Sequence, residues 1–486
     1  MRIRRHAVVA LATLTVLGST VALATAGPAQ ASSRSKRPSA PVFKSKASAT
    51  VATGAVSYAI TTKADPVAAI SAVGPLPSGL SLVDHGNGTA TLSGTEAYGA
   101  VFTIDLQASN SVATTDQTLA LKVQGLPEIR HVFVITLENE GYKATFGDPS
   151  VDPYLARTLP SQGILLKKYY GIGHFSNDNY VAMVSGQPPN SDNQLDCAVS
   201  GFADFPAGDG LVDGIQQGAG CEYPADVPTL PGQLDAAGFT WKGYMEDMGN
   251  DPTRESATCG YAGDNQPDNT LVAESGDGYA ARHDPFVYFH SITDDAGLCD
   301  SAVVPLGTTS GALPTGTPAG VTGLATDLGS VATTPNYSFI TPNLCDDGHD
   351  YPCRNETSPA GSAVADQNAF LQTWVPLIEA SPAFKQDGLL IVTFDESDLS
   401  DARACCGETV GPAADAGGNG QSGPGGGLIG TVMVSPFITP GTRDATPLNH
   451  YSMLASVEDL FGFPRLGEAA TVTSTFDTGV FSTTAK

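Results

Sequence analysis

Residues 129–139 read IRHVFVITLEN, and residues 388–396 read GLLIVTFDE. Each stretch is a run of mostly apolar side chains that ends on two polar residues, and such runs are typical of buried strands in a parallel sheet. Residues 428–434 (LIGTVMV) show the same pattern, whereas residues 364–380 and 451–461 have the apolar spacing of helices. Buried strands that alternate with helices predict a layered α/β domain.

The chain before residue 126 has a different organisation. Residues 1–31 begin with arginines, continue as an apolar run and end on Ala-Gln-Ala, which is typical of a secretory signal peptide. Residues 32–50 are rich in Ser, Pro, Ala and Lys and predict a linker. Residues 51–125 contain short alternating segments and predict a small all-β sandwich, and residues 126–486 form the α/β domain. The alternating segments are 57–62, 89–93, 101–108 and 119–123, with an Asn87-Gly88 turn.

The composition limits the partners. The chain has 24 basic and 50 acidic residues, a formal net charge of −26. Such a surface repels nucleic-acid backbones and anionic membranes, so we expect no nucleic-acid partner. A small phosphate ester remains compatible with this charge, because a local metal site can offset the global field. After the signal peptide no segment has 18 consecutive apolar residues, so we expect no stable membrane insertion.

Eight cysteines predict disulfides, because their number is even and the chain carries an export signal. The paired C-x2-C spacing of a zinc site is absent from the sequence. Cys345 and Cys353 are close enough in sequence to form a local pair. We expect the neighbours Cys405 and Cys406 to bind different partners.

Polar pairs follow two of the predicted strands directly. Glu138-Asn139 follows the first strand, and Asp395-Glu396 follows the other. In open parallel sheets, ligands bind beyond the carboxyl ends of the strands. Close carboxylates raise each other's pKa unless a cation neutralises them, so the two pairs predict a metal site. The alternative is two solvated strand ends.

Residues 173–180 read GHFSNDNY, and apolar residues follow, which predicts a helix that begins near residues 176–178. A hydroxyl at a helix N-terminus faces the positive end of the dipole and free N–H groups, which favour an alkoxide and bind phosphate oxygens. From these residues alone, Ser176 is either a nucleophile or an N-cap.

Several segments, in family order along the chain, resemble the phosphoesterase family of bacterial acid phosphatases and phospholipases C, within the alkaline phosphatase superfamily. The resemblance implies a three-layer α/β/α sandwich with a mostly parallel central sheet. The segments include Glu138-Asn139, His174-x-Ser176-x-x-Asn179-Tyr180, Ser185-Gly186, Arg282-His283-Asp284-Pro285-Phe286, Ile340-Thr341-Pro342-Asn343, His349-Asp350, Thr393-Phe394-Asp395-Glu396 and Asn449-His450-Tyr451-Ser452.

Residues 76–82 and 92–95 resemble bacterial immunoglobulin-like repeats. That resemblance implies an immunoglobulin-like domain that acts as a spacer or contacts a cell surface or polysaccharide.

The resemblance to the phosphoesterases implies residue roles. Ser176 matches the nucleophile, which also touches the metal. Asn179 matches an asparagine that binds a phosphoryl oxygen. His349, with Asp350, is a candidate to protonate the leaving oxygen or bind phosphate. The implied metal ligands are Glu138, Asn139, Ser176, Asp395 and Glu396.

All five ligand atoms are oxygen, which favours Ca²⁺, Mg²⁺ or Mn²⁺. Coordination by His174, His283 or His450 would bring Zn²⁺ or iron into consideration.

Three positions depart from the family pattern. The family usually has proline at the positions of Phe175 and Asp178, and it often has asparagine at the position of Asp284. Asp178 adds a negative charge near the expected phosphate, and Asp284 leaves the orientation of His283 open.

The sequence therefore predicts a secreted, metal-dependent phosphomonoesterase, similar to acid phosphatases, with a phosphoserine intermediate on Ser176. The first alternative is a phospholipase C that acts on phospholipid head groups. An alternative of another class is a surface-binding protein with a degenerate catalytic domain.

Overall fold

The computed structural model describes residues 37–147, 152–353, 362–412, 424–477 and 479–482. The predicted signal peptide, residues 1–31, lies outside the described residues. The N-terminal strands are β1 (Ser39–Phe43), β2 (Ser48–Ala52), β3 (Gly54–Asp65), β4 (Ala69–Ala72), β5 (Leu80–Asp84), β6 (Thr89–Glu96), β7 (Ala100–Ser109) and β8 (Thr114–Gln124).

These eight strands form two four-stranded sheets, in the orders β1-β3-β6-β5 and β2-β8-β7-β4. Alternate side chains of the longer strands point inward and are buried, among them Ile60, Leu92, Ile104 and Leu121. The predicted turn at Asn87-Gly88 joins β5 to β6, which pair antiparallel. The N-terminal all-β sandwich is confirmed.

The prediction of a linker over residues 32–50 is wrong for residues 39–50. Strand β1 pairs antiparallel with β3, and β2 pairs parallel with β8. Pro41 is the one fully buried residue of β1, and β2 has none. Backbone pairing with longer strands therefore orders these segments, and hydrophobic periodicity gives no sign of it.

Most strands of the α/β domain belong to one large sheet. They are β9 (His131–Leu137), β10 (Ile164–Leu166), β11 (Tyr169–Tyr170), β12 (Leu211–Val212), β13 (Ile215–Gln216), β14 (Trp241–Met245), β15 (Val303–Pro305), β16 (Tyr337–Thr341), β17 (Gly388–Phe394), β18 (Thr431–Val434), β19 (Thr442–Asp444) and β20 (Leu448–Asn449). Eight of them form the sheet, in the order β15-β14-β16-β9-β17-β18-β10-β19. Only β18 runs against the others, so the predicted mostly parallel sheet is confirmed.

The helices form a layer on each side of the sheet. They are α1 (Tyr142–Thr145), α2 (Leu159–Gln162), α3 (Ser176–Ser185), α4 (Leu230–Ala237), α5 (His290–Thr293), α6 (Ala296–Ala302), α7 (Leu324–Asp327), α8 (Ala363–Ala380), α9 (Pro382–Asp387) and α10 (His450–Phe461). Helices α8 and α9 contact each other. Helix α2 lies against β18, and α9 lies against β9 and β17. Helix α3 contacts α4 and α10, and α4 lies against β14. The predicted three-layer sandwich is confirmed.

Strands β9 and β17 are buried along their whole length, as are nearly all residues of α3 and α10. The two central strands and these two helices therefore belong to the buried core of the domain. Within the described ranges, no helix combines the length and the apolar composition that crossing a membrane requires.

All eight cysteines are paired, as Cys197–Cys221, Cys259–Cys299, Cys345–Cys353 and Cys405–Cys406. The local pair Cys345–Cys353 is confirmed. The expectation that Cys405 and Cys406 bind different partners is wrong. The other six cysteines pair among themselves, and this leaves the two neighbours to each other.

Candidate active site

The two polar strand ends meet because β9 and β17 are parallel neighbours. Their register sets Thr136 opposite Thr393 and Leu137 opposite Phe394, so the residues that follow lie side by side. The backbone N–H of Asn139 donates to Asp395 Oδ1 over 3.0 Å. Asn139 has a φ of 56°, in the left-handed region that asparagine tolerates. The side chain of Asn139 donates to Glu138 Oε2 over 2.8 Å.

Ser176 lies at the first residue of helix α3. The N-cap position belongs to Phe175, which makes no side-chain capping bond. The Ser176 hydroxyl donates instead to Glu138 Oε2 over 2.9 Å, across from the neighbouring strand end. The N-cap interpretation of Ser176 is therefore wrong, because its hydroxyl faces the acidic strand ends and not the helix backbone.

The first N–H groups of α3 are not open to a ligand. The Asn177 backbone N–H donates to Asp196 Oδ1 over 3.0 Å. Burial raises the pKa of Asp196, whereas Arg282 and the backbone N–H groups of residues 176 and 177 lower it. Asp196 therefore occupies the anion position at the helix terminus where the sequence predicts phosphate.

The loop before Ser176 is held by Glu396. Glu396 Oε2 accepts from the Phe175 backbone N–H over 2.9 Å and lies 2.7 Å from His174 Nδ1. The other ring nitrogen of His174 lies 3.2 Å from the carbonyl oxygen of Asp401. Phe175 has a φ of 96°, which a non-glycine residue adopts only where its surroundings impose it. His174 is thus placed to orient Glu396.

Asn179 does not reach the cavity. Its side-chain oxygen accepts from the backbone N–H of Ile172 over 2.8 Å, and its amide donates to the carbonyls of Gly173 and Phe175 over 3.0 and 2.9 Å. The side chain is fully buried. The predicted contact with a phosphoryl oxygen is contradicted, because these bonds hold the loop that carries the nucleophile.

Asp178 is also fully buried. Its Oδ1 accepts from the Asn179 amide over 2.9 Å, and its Oδ2 has no hydrogen-bond partner among the described residues. Burial raises the pKa of Asp178, and the charges of Glu396 and Asp196 raise it further. Its carboxylate packs against Gly173, where a Cβ would come within 2.4 Å of Oδ2.

Glu138 joins the site to buried aromatic residues. Its Oε1 accepts from the Tyr180 hydroxyl over 3.0 Å and lies 3.2 Å from His283 Nε2. The His283 ring stacks on Tyr180, with centroids 5.1 Å apart, and burial lowers its pKa. Asp284 turns away, since it accepts from the backbone N–H of Phe286. His283 therefore lies beside Glu138 as a neutral ring.

A cavity of about 420 Å³ opens over these groups. Four of the five implied metal ligands line it, and Asp395 lies fully buried behind them. Arg282 brings a guanidinium to the wall, with Nε 3.9 Å from Asp196 Oδ2. The lining residues are Glu138, Asn139, Phe175, Ser176, Asp196, Arg282, His349, Glu396, Asp398 and Leu399.

His349 is about half exposed at the mouth of the cavity. Its Nδ1 lies 3.3 Å from Asp350 Oδ1, and its backbone N–H donates to Asp347 Oδ1 over 3.0 Å. The hydrogen bond to Asp350 is the main cause that raises the pKa of His349 to about 9, against the opposing effect of burial. The side chain is therefore a cation at neutral pH.

His450 lies behind the site and outside the cavity lining. Its Nε2 lies 2.6 Å from the backbone carbonyl oxygen of Asp395, and its Nδ1 lies 3.3 Å from the Tyr169 hydroxyl. Burial lowers its pKa to about 4. The N-cap of α10 is Asn449, which accepts from the Ser452 backbone N–H. His450 therefore positions Asp395 through its backbone and does not point at the cavity.

The acidic residues fit a bound cation. Burial raises the pKa of Glu138, and the charges of Asp395 and Asp347 raise it further. Burial also raises the pKa of Asp347 to about 7. The Oδ2 atoms of Asp395 and Asp347 have no hydrogen-bond partner among the described residues. Buried carboxylates that crowd together and keep oxygens without a hydrogen-bond donor are stabilised by a positive ion, and oxygen ligands suit a hard ion.

Sequence reasoning missed three residues of this site. Asp196 precedes Cys197, and its link to α3 is invisible in the chain order. Arg282 belongs to the segment Arg282–Phe286 that resembles the family, but its position in the cavity wall follows from the fold and not from the sequence pattern. Asp347 lies two residues before His349, and its carbonyl oxygen accepts from the Glu138 backbone N–H over 2.9 Å.

Comparison with known proteins identifies the family of this chain. The model of the phosphoesterase family matches residues 154–464, more than half of the chain. A phosphatidylinositol-3-phosphatase of Mycobacterium tuberculosis is 24% identical over 77% of this chain and 92% of its own length. A phosphate-repressible acid phosphatase of Penicillium chrysogenum is 27% identical over 71% of this chain, and the match spans about three fifths of that protein, 62%.

A solved structure of a Vibrio parahaemolyticus protein in the alkaline phosphatase superfamily matches 69% of this chain and 67% of its own, at 12% identity and a TM-score of 0.38. The family match confirms the predicted membership of the phosphoesterase family. Together with the phosphatase relatives, it also confirms the predicted hydrolase activity on phosphate esters. The chain belongs to the phosphoesterase family and is a hydrolase of phosphate esters.

Proposed function

We propose that this chain is a secreted, metal-dependent phosphomonoesterase that forms a phosphoserine intermediate on Ser176. One observation carries the proposal: the Ser176 hydroxyl lines the cavity, 2.9 Å from Glu138 Oε2 and among buried carboxylates that a cation would stabilise. A degenerate catalytic domain would lack the serine or the acids, whereas all of them are present and face one another.

Glu138, Asn139, Ser176, Asp395 and Glu396 would hold the metal ion. Their donors are oxygens, which fits Ca²⁺, Mg²⁺ or Mn²⁺. His174 and His450 act through Glu396 and Asp395, and each uses one ring nitrogen for that contact. Their other ring nitrogens lie beside the Asp401 carbonyl and the Tyr169 hydroxyl. When bound, the ion lowers the pKa of the serine hydroxyl and offsets charge on the phosphoryl oxygens.

In the first step Ser176 Oγ attacks phosphorus, and the bond between phosphorus and the leaving oxygen breaks. Glu138 Oε2, which accepts the hydrogen bond of the Ser176 hydroxyl, takes the hydroxyl proton as the bond to phosphorus forms. His349 is a cation at neutral pH and lies at the mouth of the cavity, so it can donate its proton to the departing alkoxide. The products are a phosphoserine and a free alcohol.

In the second step water attacks phosphorus and the bond between phosphorus and Ser176 Oγ breaks. Glu138 returns its proton to the departing serine oxygen and so restores the hydroxyl. His349 is neutral after the first step and takes the proton of the attacking water. Arg282 contributes a permanent positive charge on the wall, which favours a phosphoryl group with its full negative charge. These roles suit a phosphate monoester.

Export is part of the proposal. Four disulfides form in oxidising compartments, and the N-terminal 31 residues have the pattern of a signal peptide. We also propose that the sandwich of residues 39–124 is a separate module that does not take part in the chemistry.

The test is hydrolysis by the purified protein, with and without chelator, of p-nitrophenyl phosphate, phosphatidylinositol-3-phosphate and phosphatidylcholine. We expect the two monoesters to be cleaved and chelator to abolish activity. Ser176→Ala should lose at least about 10³-fold in kcat. Ser185→Ala, at the other end of α3, is the matched control and should keep its activity.

Two results would overturn the proposal. Full activity in Ser176→Ala would exclude the serine mechanism. Hydrolysis of phosphatidylcholine alone would move the assignment to a phospholipase C.

A further inference from the structure

A second cluster of metal-ligating side chains lies away from the active site. Asp204, Glu222 and His290 each offer one ligand atom, and the three atoms lie within 4.8 Å of one another. They line a surface cleft of about 370 Å³, and this cleft shares no lining residue with the active-site cavity. The proposed function uses none of them.

The backbone builds this cluster from distant segments. Asp204 and Glu222 form an isolated parallel bridge, and Tyr223 forms another with Phe289. His290 then follows as the first residue of α5. Two bridges on neighbouring residues fix the three side chains relative to one another. Such fixed placement is what a metal site needs before the ion arrives.

Glu222 gives the observation that points to a ligand. Its side chain is fully buried, and its Oε1 accepts from the hydroxyls of Tyr261 and Thr293 over 2.5 and 3.2 Å. Its Oε2 has no hydrogen-bond partner among the described residues. A buried carboxylate oxygen without a partner is costly unless a cation neutralises it.

His290 has the arrangement of a metal-binding histidine. Its Nδ1 lies 3.0 Å from Asp294 Oδ1, while its Nε2 lies 2.9 Å from Asp204 Oδ1. In metal sites the ring nitrogen away from the ion usually donates to a carboxylate, which orients the ring. Asp294 fills that place. The other oxygen of Asp204 accepts from the Asn265 amide over 2.9 Å, which orients that carboxylate in turn.

We propose that Asp204, Glu222 and His290 bind a divalent transition-metal ion, with Zn²⁺ as the best fit. Two carboxylates and one imidazole are three of the four ligands of a tetrahedral zinc site, and water completes it. The imidazole nitrogen disfavours Ca²⁺ and Mg²⁺, which prefer oxygen alone. The site is independent of the proposed function, because no ligand is shared.

The ion would stabilise the part of the active-site wall that contains Asp196. Glu222 follows Cys221, which is joined to Cys197, and Cys197 follows Asp196. Asp196 in turn binds the N-terminus of the helix that carries Ser176. We therefore expect zinc at this cluster to raise the thermal stability of the chain.

The experiment measures the number of zinc ions bound per chain. The full chain is stripped with chelator, dialysed and titrated with ZnCl₂ by calorimetry, with bound zinc measured by atomic emission. Wild type should bind one more zinc per chain than His290→Gln or Glu222→Gln. The matched control is His85→Gln, which removes an exposed histidine whose Nε2 lies 2.9 Å from Thr91 Oγ1, and this variant should bind zinc as wild type does.

Asp294→Asn keeps all three ligands and provides a second test in case a ligand variant does not fold. It should keep the extra zinc but bind it about 10- to 100-fold more weakly. Equal zinc counts in wild type, His290→Gln and Glu222→Gln would overturn the proposal. So would an equal zinc-dependent rise in Tm in wild type and in the two ligand variants.

Discussion

The Asp196 carboxylate accepts a hydrogen bond from the Asn177 backbone N–H over 3.0 Å and so covers the N-terminus of the helix that carries Ser176. The protein thus places its own anion where a substrate phosphate would otherwise bind. Phosphate has to bind beside this carboxylate or displace it.

Replacing Asp196 should therefore tighten the binding of phosphate. Asp196→Ala frees the first N–H groups of α3 and removes a negative charge from the cavity wall, and both changes favour an anion. We expect the inhibition constant for inorganic phosphate to fall roughly tenfold, about 1.4 kcal/mol. The measurement is competitive inhibition of p-nitrophenyl phosphate hydrolysis.

Asp398→Ala is the control, because Asp398 also lines the cavity but does not cover the helix terminus. Its effect should be smaller. A weaker inhibition by phosphate in Asp196→Ala would show that Asp196 organises the site and does not compete with substrate.

The activity should fall at alkaline pH as His349 loses its proton. The hydrogen bond to Asp350 raises the pKa of His349 to about 9, so the side chain is charged below that pH and can act as the acid. We expect kcat to decline through about pH 9. His349→Gln should lose activity and lose this decline. An unchanged alkaline limb in His349→Gln would assign the decline to another group.

Asp178→Asn should stabilise the protein at neutral pH. Burial raises the pKa of Asp178 in the folded state, so folding becomes less favourable wherever the unfolded chain has already lost the proton. We expect a gain of about 1–3 kcal/mol in the free energy of unfolding at pH 8, and little change at pH 4. Denaturant unfolding at the two pH values measures it.

The exposed Asp226→Asn is the matched control and should show neither the gain nor its pH dependence. A loss of stability in Asp178→Asn at pH 8 would mean that the charged carboxylate is bound to a cation in the folded protein.

Removal of metal should make stability depend on pH in one direction. Burial raises the pKa of Asp347 from an ordinary 3.8 to about 7. The folded chain then binds more protons than the unfolded chain between these values, so the free energy of unfolding falls as pH rises from about 4 to about 7. We expect this slope in chelator-treated protein, and a smaller slope after Mn²⁺ is added. Asp347→Asn should reduce the slope without metal.

Much of the fold was predictable from the sequence. The runs that became β9 and β17 are continuous and apolar, so their burial followed from composition alone. Their polar ends could be assigned to one site because parallel neighbours end at the same edge of a sheet. Strands β1 and β2 could not be predicted in this way, since partner strands order them and their own side chains are mostly exposed.

The candidate site was predictable only in part. Ser176 lies beside Glu138 at the predicted strand end, whereas the Asn179 side chain bonds within the loop that precedes Ser176. Asp196 reaches α3 from a segment that ends in a disulfide-bonded cysteine, and no local pattern records that approach. The three residues of the proposed zinc cluster come from segments up to 86 residues apart, which places them beyond any spacing rule.

Phe175 has a φ of 96° and donates its backbone N–H to Glu396. Proline, which the family usually has at this position, fixes φ near −65° and has no N–H to donate. The two residues are therefore not interchangeable in this loop. A Phe175→Pro substitution would therefore remove a hydrogen bond to Glu396 and impose another backbone conformation directly before Ser176, so it would disturb the active site instead of restoring the family type.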